Sequence, residues 1–168
     1  MGLFSQWILT DTIEIKTSPE VIWEFFIKLE ENYTDWHPTD HKKFRWFGEP
    51  METGSRWYAE EIVHGHHFKL GGKIGKVEPF RRVVFKYSFP VSMVSPKFEW
   101  IIRSKDSATE FQALSYLKAG DFFRMLSRRE MDWKMEATIK HTKEEGENLK
   151  KILEVKDNKS SQAHTTNH

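Results

Sequence analysis

The sequence predicts an α+β domain in which a curved antiparallel sheet of about seven strands wraps a long C-terminal helix, with one or two short helices after the first strand. Three observations carry this reading. Residues 43 to 118 hold six short strand-like runs divided by turn signals, the pattern turns helical after Gly120 and stays so to about Glu154, and a short helical excursion follows the first strand. Short successive connections imply antiparallel pairing, because parallel neighbours need long crossovers.

The first strand is read at 6–16, where Ile13 and Ile15 alternate with Glu14 and Lys16. In "TSPEVIWEFFIKLEEN", Ser18 stands where a cap belongs, Pro19 suits the first helical position, and Glu20 favours the positive end of the dipole. Ile22, Phe25, Phe26 and Leu29 form its apolar face. The helix is expected to break at "YTDWHPTDH", where Pro38 pushes His37 out of helical geometry. Strands follow at 43–48, 55–64, 66–78, 82–89, 97–104 and 108–118. Residues 156–168 carry too little apolar content to fold, which sets a domain at 1–155 and a disordered tail beyond it.

Composition narrows the function classes. The chain has 168 residues, 38% of them hydrophobic and 14% aromatic, enough for one core. A net charge of +1 supplies no long-range field, so neither nucleic acid nor an anionic membrane is implied as a partner. The absence of cysteine excludes disulfides, thiolate nucleophiles and Cys-ligated zinc, and any metal must use His, Asp or Glu. No signal peptide or apolar span is read, and Gln6 departs from the myristoylation pattern, so a cytoplasmic protein without stable membrane insertion is expected. A homodimer stays open.

Around the terminal helix, Phe122, Leu126, Trp133, Ala137 and Ile152 share one third of the circumference, and His141 falls in the same sector with Glu145 at its edge. Glu144 lies on the other side of His141, and a solvated helix end with Glu–Lys pairs would explain the same charges. On the strand "SRWYAEEIVHG", alternation puts Trp57, Ala59, Glu61 and Val63 on the better core face. An inward Glu61 costs several kcal/mol unless a charge, a hydrogen bond or a metal compensates it. A face shifted by one residue would make Glu60 the inward carboxylate instead. "DWHPTDH" adds His37 and His41, the latter better placed to look inward, whereas "HGHH" at 64–67 reads as a hairpin tip on the surface. Together His41, Glu61, His141 and Glu145 form a donor set suited to zinc or another first-row divalent ion. There is no G-x-S-x-G elbow, and "GGKIGK" lacks phosphate-loop spacing.

"IEIKTSPEVIWEFF", "DWHP", the "GS" opening the third strand, "EPFRRVVFKY" and "HTKEEGENLKKILE" occur in an order that resembles the helix-grip superfamily over residues 10–155. That superfamily, often called SRPBCC, includes the START domains, the birch-pollen allergen and the polyketide cyclases. The resemblance implies a small hydrophobic ligand held between sheet and helix. A narrower resemblance joins "WHPTDH", "YAEEIVHG" and "HTKEE" to the diacetylphloroglucinol hydrolases, which cleave a carbon–carbon bond beside a ketone on a phenolic ring. It implies zinc held by His41, Glu61, His141 and Glu145; acid–base chemistry beside such a metal would then call on His37, Tyr58 or Tyr116 to orient or protonate the phenolic carbon or oxygen. This chain is much shorter than those hydrolases. The competing expectations are a non-catalytic carrier of a hydrophobic ligand or lipid, its pocket or core formed by aromatics such as Phe44, Trp57, Phe85, Trp100 and Trp133, and a metal-free polyketide cyclase or dehydratase.

Overall fold

A computed structural model describes residues 6–63, 65–118 and 136–155. In chain order the elements are β1 (Gln6–Ile15), α1 (Pro19–Ile27), α2 (Leu29–Trp36), β2 (His41–Phe47), β3 (Arg56–Val63), β4 (His66–Glu78), β5 (Arg82–Tyr87), β6 (Lys97–Ser104) and β7 (Thr109–Lys118). A helix over 136–155, here α3, closes the described chain. The seven strands form one antiparallel sheet in the order β1-β7-β6-β5-β4-β3-β2. The part of the expected terminal helix that holds Phe122, Leu126 and Trp133, like His64 and the tail, lies outside the described residues.

Two local expectations need correction. The helical excursion does not break at Tyr33 but continues as α2 through Trp36. Pro38 restricts only the residue before it, and His37 duly leaves the helix at φ −140° and ψ 82°. Ser18 sits extended before α1 as a cap should, yet its side chain makes no cap bond.

The core is unusually rich in rings. Phe26, fully buried, stacks on Trp100 at 4.0 Å and meets Trp36 and Phe111 at 5.5 and 5.4 Å. Trp23, Trp46, Phe85 and Phe111 fill this core, and Leu149 and Leu153 of α3 complete it. Polar stitches fix where α3 crosses the first strand: Lys150 Nζ donates to the Glu14 carbonyl at 2.9 Å, and the Lys16 amide donates to Glu154 at 2.9 Å. The helix that ends there carries His141 and Glu145 one turn apart, so this docking sets where both point.

One buried carboxylate lies far from that turn. Glu99, on the outer face of β6, is fully enclosed and bonded to Arg82 and Lys97 at 2.6 Å each. Burial pushes its pKa up, but the two cations outweigh burial and hold it below the ordinary carboxylate value. A depressed folded pKa contributes stability above the unfolded value of about 4, and that contribution vanishes as pH falls through the folded value. Thermal unfolding measured from neutral to acidic pH should therefore show a shallower acid loss in Glu99→Gln than in the parent, and equal slopes would exclude Glu99 as a source of acid lability.

Candidate metal centre and its cavity

Sheet register brings the first two groups together. His41 opens β2 directly opposite Glu61 on β3, and the Asp40 carbonyl accepts from the Ile62 amide at 2.8 Å. From the other side α3 presents His141 and Glu145. His41 Nε2 lies 3.0 Å from Glu145 Oε1, and His141 Nε2 lies 3.6 Å from the same oxygen and 3.9 Å from Glu61 Oε2. The four side chains named from sequence thus converge. Glu61, not Glu60, faces inward, and Glu60 instead accepts from the outward Tyr58 hydroxyl at 2.8 Å. Glu145 rather than Glu144 joins the cluster, while Glu144 reaches His37 at 3.4 Å near the surface.

The outer hydrogen bonds of both imidazoles fix which nitrogen turns inward. His41 Nδ1 is 3.0 Å from the Tyr33 carbonyl, which only accepts, so the ring proton sits on Nδ1. His141 Nδ1 is 3.0 Å from the Asp40 carboxylate and is likewise the donor. Each Nε2 turns inward to the carboxylates: His41 Nε2 is hydrogen-bonded to Glu145 Oε1 at 3.0 Å, and His141 Nε2 faces Glu145 and Glu61. His141 Nε2 is buried and makes no hydrogen bond among the described residues. Donor atoms around a tetrahedral ion bound at about 2.0–2.1 Å stand roughly 3.3 Å apart, and the three separations of 3.0, 3.6 and 3.9 Å bracket that edge. The donor set fits a small divalent ion, and His41, Glu61 and His141 each place a ligand atom within 4.8 Å of the others.

Tyr33 braces the cluster twice. Its hydroxyl donates to Glu61 Oε1, and its ring stacks on His41 at 3.9 Å. Burial first, then the Glu61 charge, pushes its phenol pKa well up, so it remains a donor. Trp36 Nε1 donates to the Glu145 carbonyl at 2.8 Å and pins the helix turn itself. Burial opposes charging of His141, yet Glu145, Glu61 and Asp40 together raise its pKa. Burial likewise favours neutral Glu145, but His141, His41 and His37 pull its pKa down. Tyr33→Phe removes one bond from Glu61, a candidate metal ligand, and, if zinc binds there, should weaken its affinity by roughly ten-fold; competition with a chromogenic chelator reads this directly, and unchanged affinity would make Tyr33 a mere core residue.

Glu61, His141, Glu145 and Tyr33 also line one end of a cavity of about 290 Å³. Its remaining wall is largely apolar, with Phe44, Trp57, Leu70, Tyr87, Phe98 and Trp100, and among the described residues no lysine or arginine lines it. Burial, with the charges of Glu61 and Glu145, keeps the Tyr87 phenol protonated. Sequence reading missed Tyr33, Asp40 and Tyr87. The alternation that places Phe85 inward also places Tyr87 inward, so that signal was present.

The three catalytic candidates fare differently. His37 is buried beside the cluster, its ring 4.9 Å from that of His141, but it stands behind His141 and not on the cavity wall. Tyr58 and Tyr116 are corrected outright, because strand alternation turns both to the outer face of the sheet. Tyr58 bonds Glu60 there, and Tyr116 lies under Lys97 Nζ at 4.0 Å.

A curved antiparallel sheet closed over a terminal helix, with an apolar cavity between, defines the helix-grip fold. No family model matches the chain, and no curated protein matches it. Solved structures do. Norcoclaurine synthase from Thalictrum flavum, in complex with dopamine and hydroxybenzaldehyde, aligns with a TM-score of 0.65 at 10% identity, over 90% of this chain and 88% of that one. The major latex-like protein 151 of Panax ginseng aligns at 0.58 and 16% identity, over 70% and 80%. A protein of Nitrosomonas europaea aligns at 0.59 and 18%, over 86% and 95%. At these identities the likeness establishes the helix-grip fold and nothing finer. Among the described residues no helix is long and apolar enough to cross a membrane.

Proposed function

We propose that this chain binds a small aromatic or polyketide-like molecule in the cavity and, with a divalent metal such as zinc held by His41, Glu61, His141 and Glu145, hydrolyses a carbon–carbon bond beside a ketone. The observation that carries the reading is the pair of imidazoles, each with Nδ1 held by an acceptor, whose Nε2 atoms meet two carboxylates where an apolar cavity ends, so that an ion between them would take the place of the Nε2 protons. Two carboxylates and two neutral imidazoles balance a doubly charged ion. Without an ion, the same groups would leave His141 Nε2 enclosed with no hydrogen-bond partner.

When bound, such an ion supplies Lewis acidity toward a carbonyl oxygen and a source of hydroxide near neutral pH. The chain's own residues do the rest. Tyr33 and Asp40 hold Glu61 and His141 in ligating orientation, and the aromatic wall strips water from a phenolic ring. Tyr87, kept protonated, offers a hydrogen bond to a ring oxygen. In the overall reaction water adds across the bond between ring and acyl carbon: the ring carbon gains hydrogen and the acyl group leaves as a carboxylic acid.

The neighbour crystallised with dopamine and hydroxybenzaldehyde supports a fold able to seat aromatic molecules. The test uses diacetylphloroglucinol and simpler acylphenols with zinc-loaded and chelator-treated protein. Acid release that requires zinc is the expected result. Saturable ligand binding with no turnover, equal in both preparations, would instead make the chain a carrier, as the largely apolar wall would also allow.

A further inference from the structure

Sheet register gathers basic residues that the sequence scatters. Arg56 on β3 pairs with Lys73 on β4, Lys73 with Lys86 on β5, and Lys86 with Lys97 on β6. Their chain neighbours Trp57, Ile74, Phe85 and Phe98 pack into the core, so alternation turns all four basic side chains to the outer face. Strands about 4.8 Å apart set the four cations in a row roughly 15 Å long. Like charges directly opposite one another destabilise a sheet. Lys97 is relieved by Glu99 at 2.6 Å, but the described residues give Arg56, Lys73 and Lys86 no carboxylate partner.

The row ends at an apolar loop. Lys86 and Lys97 form the last β5–β6 pair, and between them Phe89 is 78% exposed, Met93 54% and Val94 40%. The loop is braced and holds these side chains outward: the Ser95 amide donates to the Val91 carbonyl at 2.8 Å, and the Lys118 amide donates to the Val94 carbonyl at 2.7 Å. From Pro79 to Phe98 the chain contains Arg81, Arg82, Lys86 and Lys97 and no acidic residue. The overall charge of +1 conceals this local field.

We propose that the β5–β6 loop and the basic row form a docking surface for an anionic lipid bilayer, with Phe89, Met93 and Val94 entering the interfacial region and Arg56, Lys73, Lys86 and Lys97 facing the headgroups. Apolar side chains at the water boundary backed by lysines are the combination that such a surface retains. A nucleic acid backbone would satisfy the row but leave the three apolar tips in water. Tyr87 and Phe98, which line the cavity, flank the same loop, so docking sets the cavity wall beside the hydrocarbon that would dissolve its ligand.

Cosedimentation of the full chain with vesicles tests the surface, using phosphatidylcholine alone and phosphatidylcholine mixed with phosphatidylserine. Binding is expected to the mixed vesicles only and to weaken with salt. Each basic residue near the surface is worth roughly a five-fold change in partition, so the double variant Lys73→Gln, Lys86→Gln should lose roughly 25-fold. Phe89→Ser with Met93→Ser should also weaken binding, and both variants keep the parent circular dichroism because the sites are exposed. Equal binding to neutral vesicles, no binding to either, or variants that bind like the parent would overturn the proposal. Salt-sensitive binding to an oligonucleotide without vesicle binding would overturn it in favour of nucleic acid.

Discussion

Replacing His141 by alanine is expected to lower zinc affinity by at least about 100-fold, a larger effect than any change outside the ligand set. His141 approaches both carboxylates, at 3.6 Å to Glu145 and 3.9 Å to Glu61. Without it, three donors remain and Glu61 and Glu145 face each other with less compensating charge. His141→Gln keeps volume and polarity but not the imidazole, so it should lose zinc as alanine does while folding better. Isothermal titration of both variants, with circular dichroism as a control on folding, reads the effect. Parent-like zinc affinity in either variant would remove His141 from the centre.

Phe26→Ala should destabilise the fold by about 3–5 kcal/mol, near the total stability of many domains of this size. Phe26 is fully enclosed and touches Trp36, Trp100 and Phe111, so little can collapse into the space it leaves. The damage reaches the site because Trp36 both packs on Phe26 and holds the Glu145 carbonyl. A zinc-loaded sample should recover part of the lost stability, since binding only the native state stabilises it. Urea unfolding with and without zinc measures both effects, and a loss below about 1 kcal/mol would show that the core relaxes freely.

Much of this was readable from residues alone. Alternation through Trp57, Ala59 and Glu61 pointed a carboxylate at the core, and helical spacing joined His141 to Glu145, because both signals are local and periodic. What failed was partly local and partly long-range. Tyr58 and Tyr116 are the right kind of group on the wrong face, an assignment that alternation already contained for Tyr58. Tyr33 escaped notice because the helix was expected to stop there, whereas a proline acts only on its immediate predecessor. Asp40 serves His141 across 101 positions of chain, and no spacing rule reaches that far. The basic row is likewise invisible until register aligns β3 to β6, since Arg56 and Lys97 are 41 positions apart.

The most direct test is the coordination of zinc in the untagged protein, by elemental analysis joined to X-ray absorption. About one equivalent, surrounded by two imidazole nitrogens and carboxylate oxygens at about 2.0–2.1 Å, is the predicted result. Protein that takes up no zinc under excess metal, or zinc seen with a purely oxygen shell that survives His141→Ala, would contradict it.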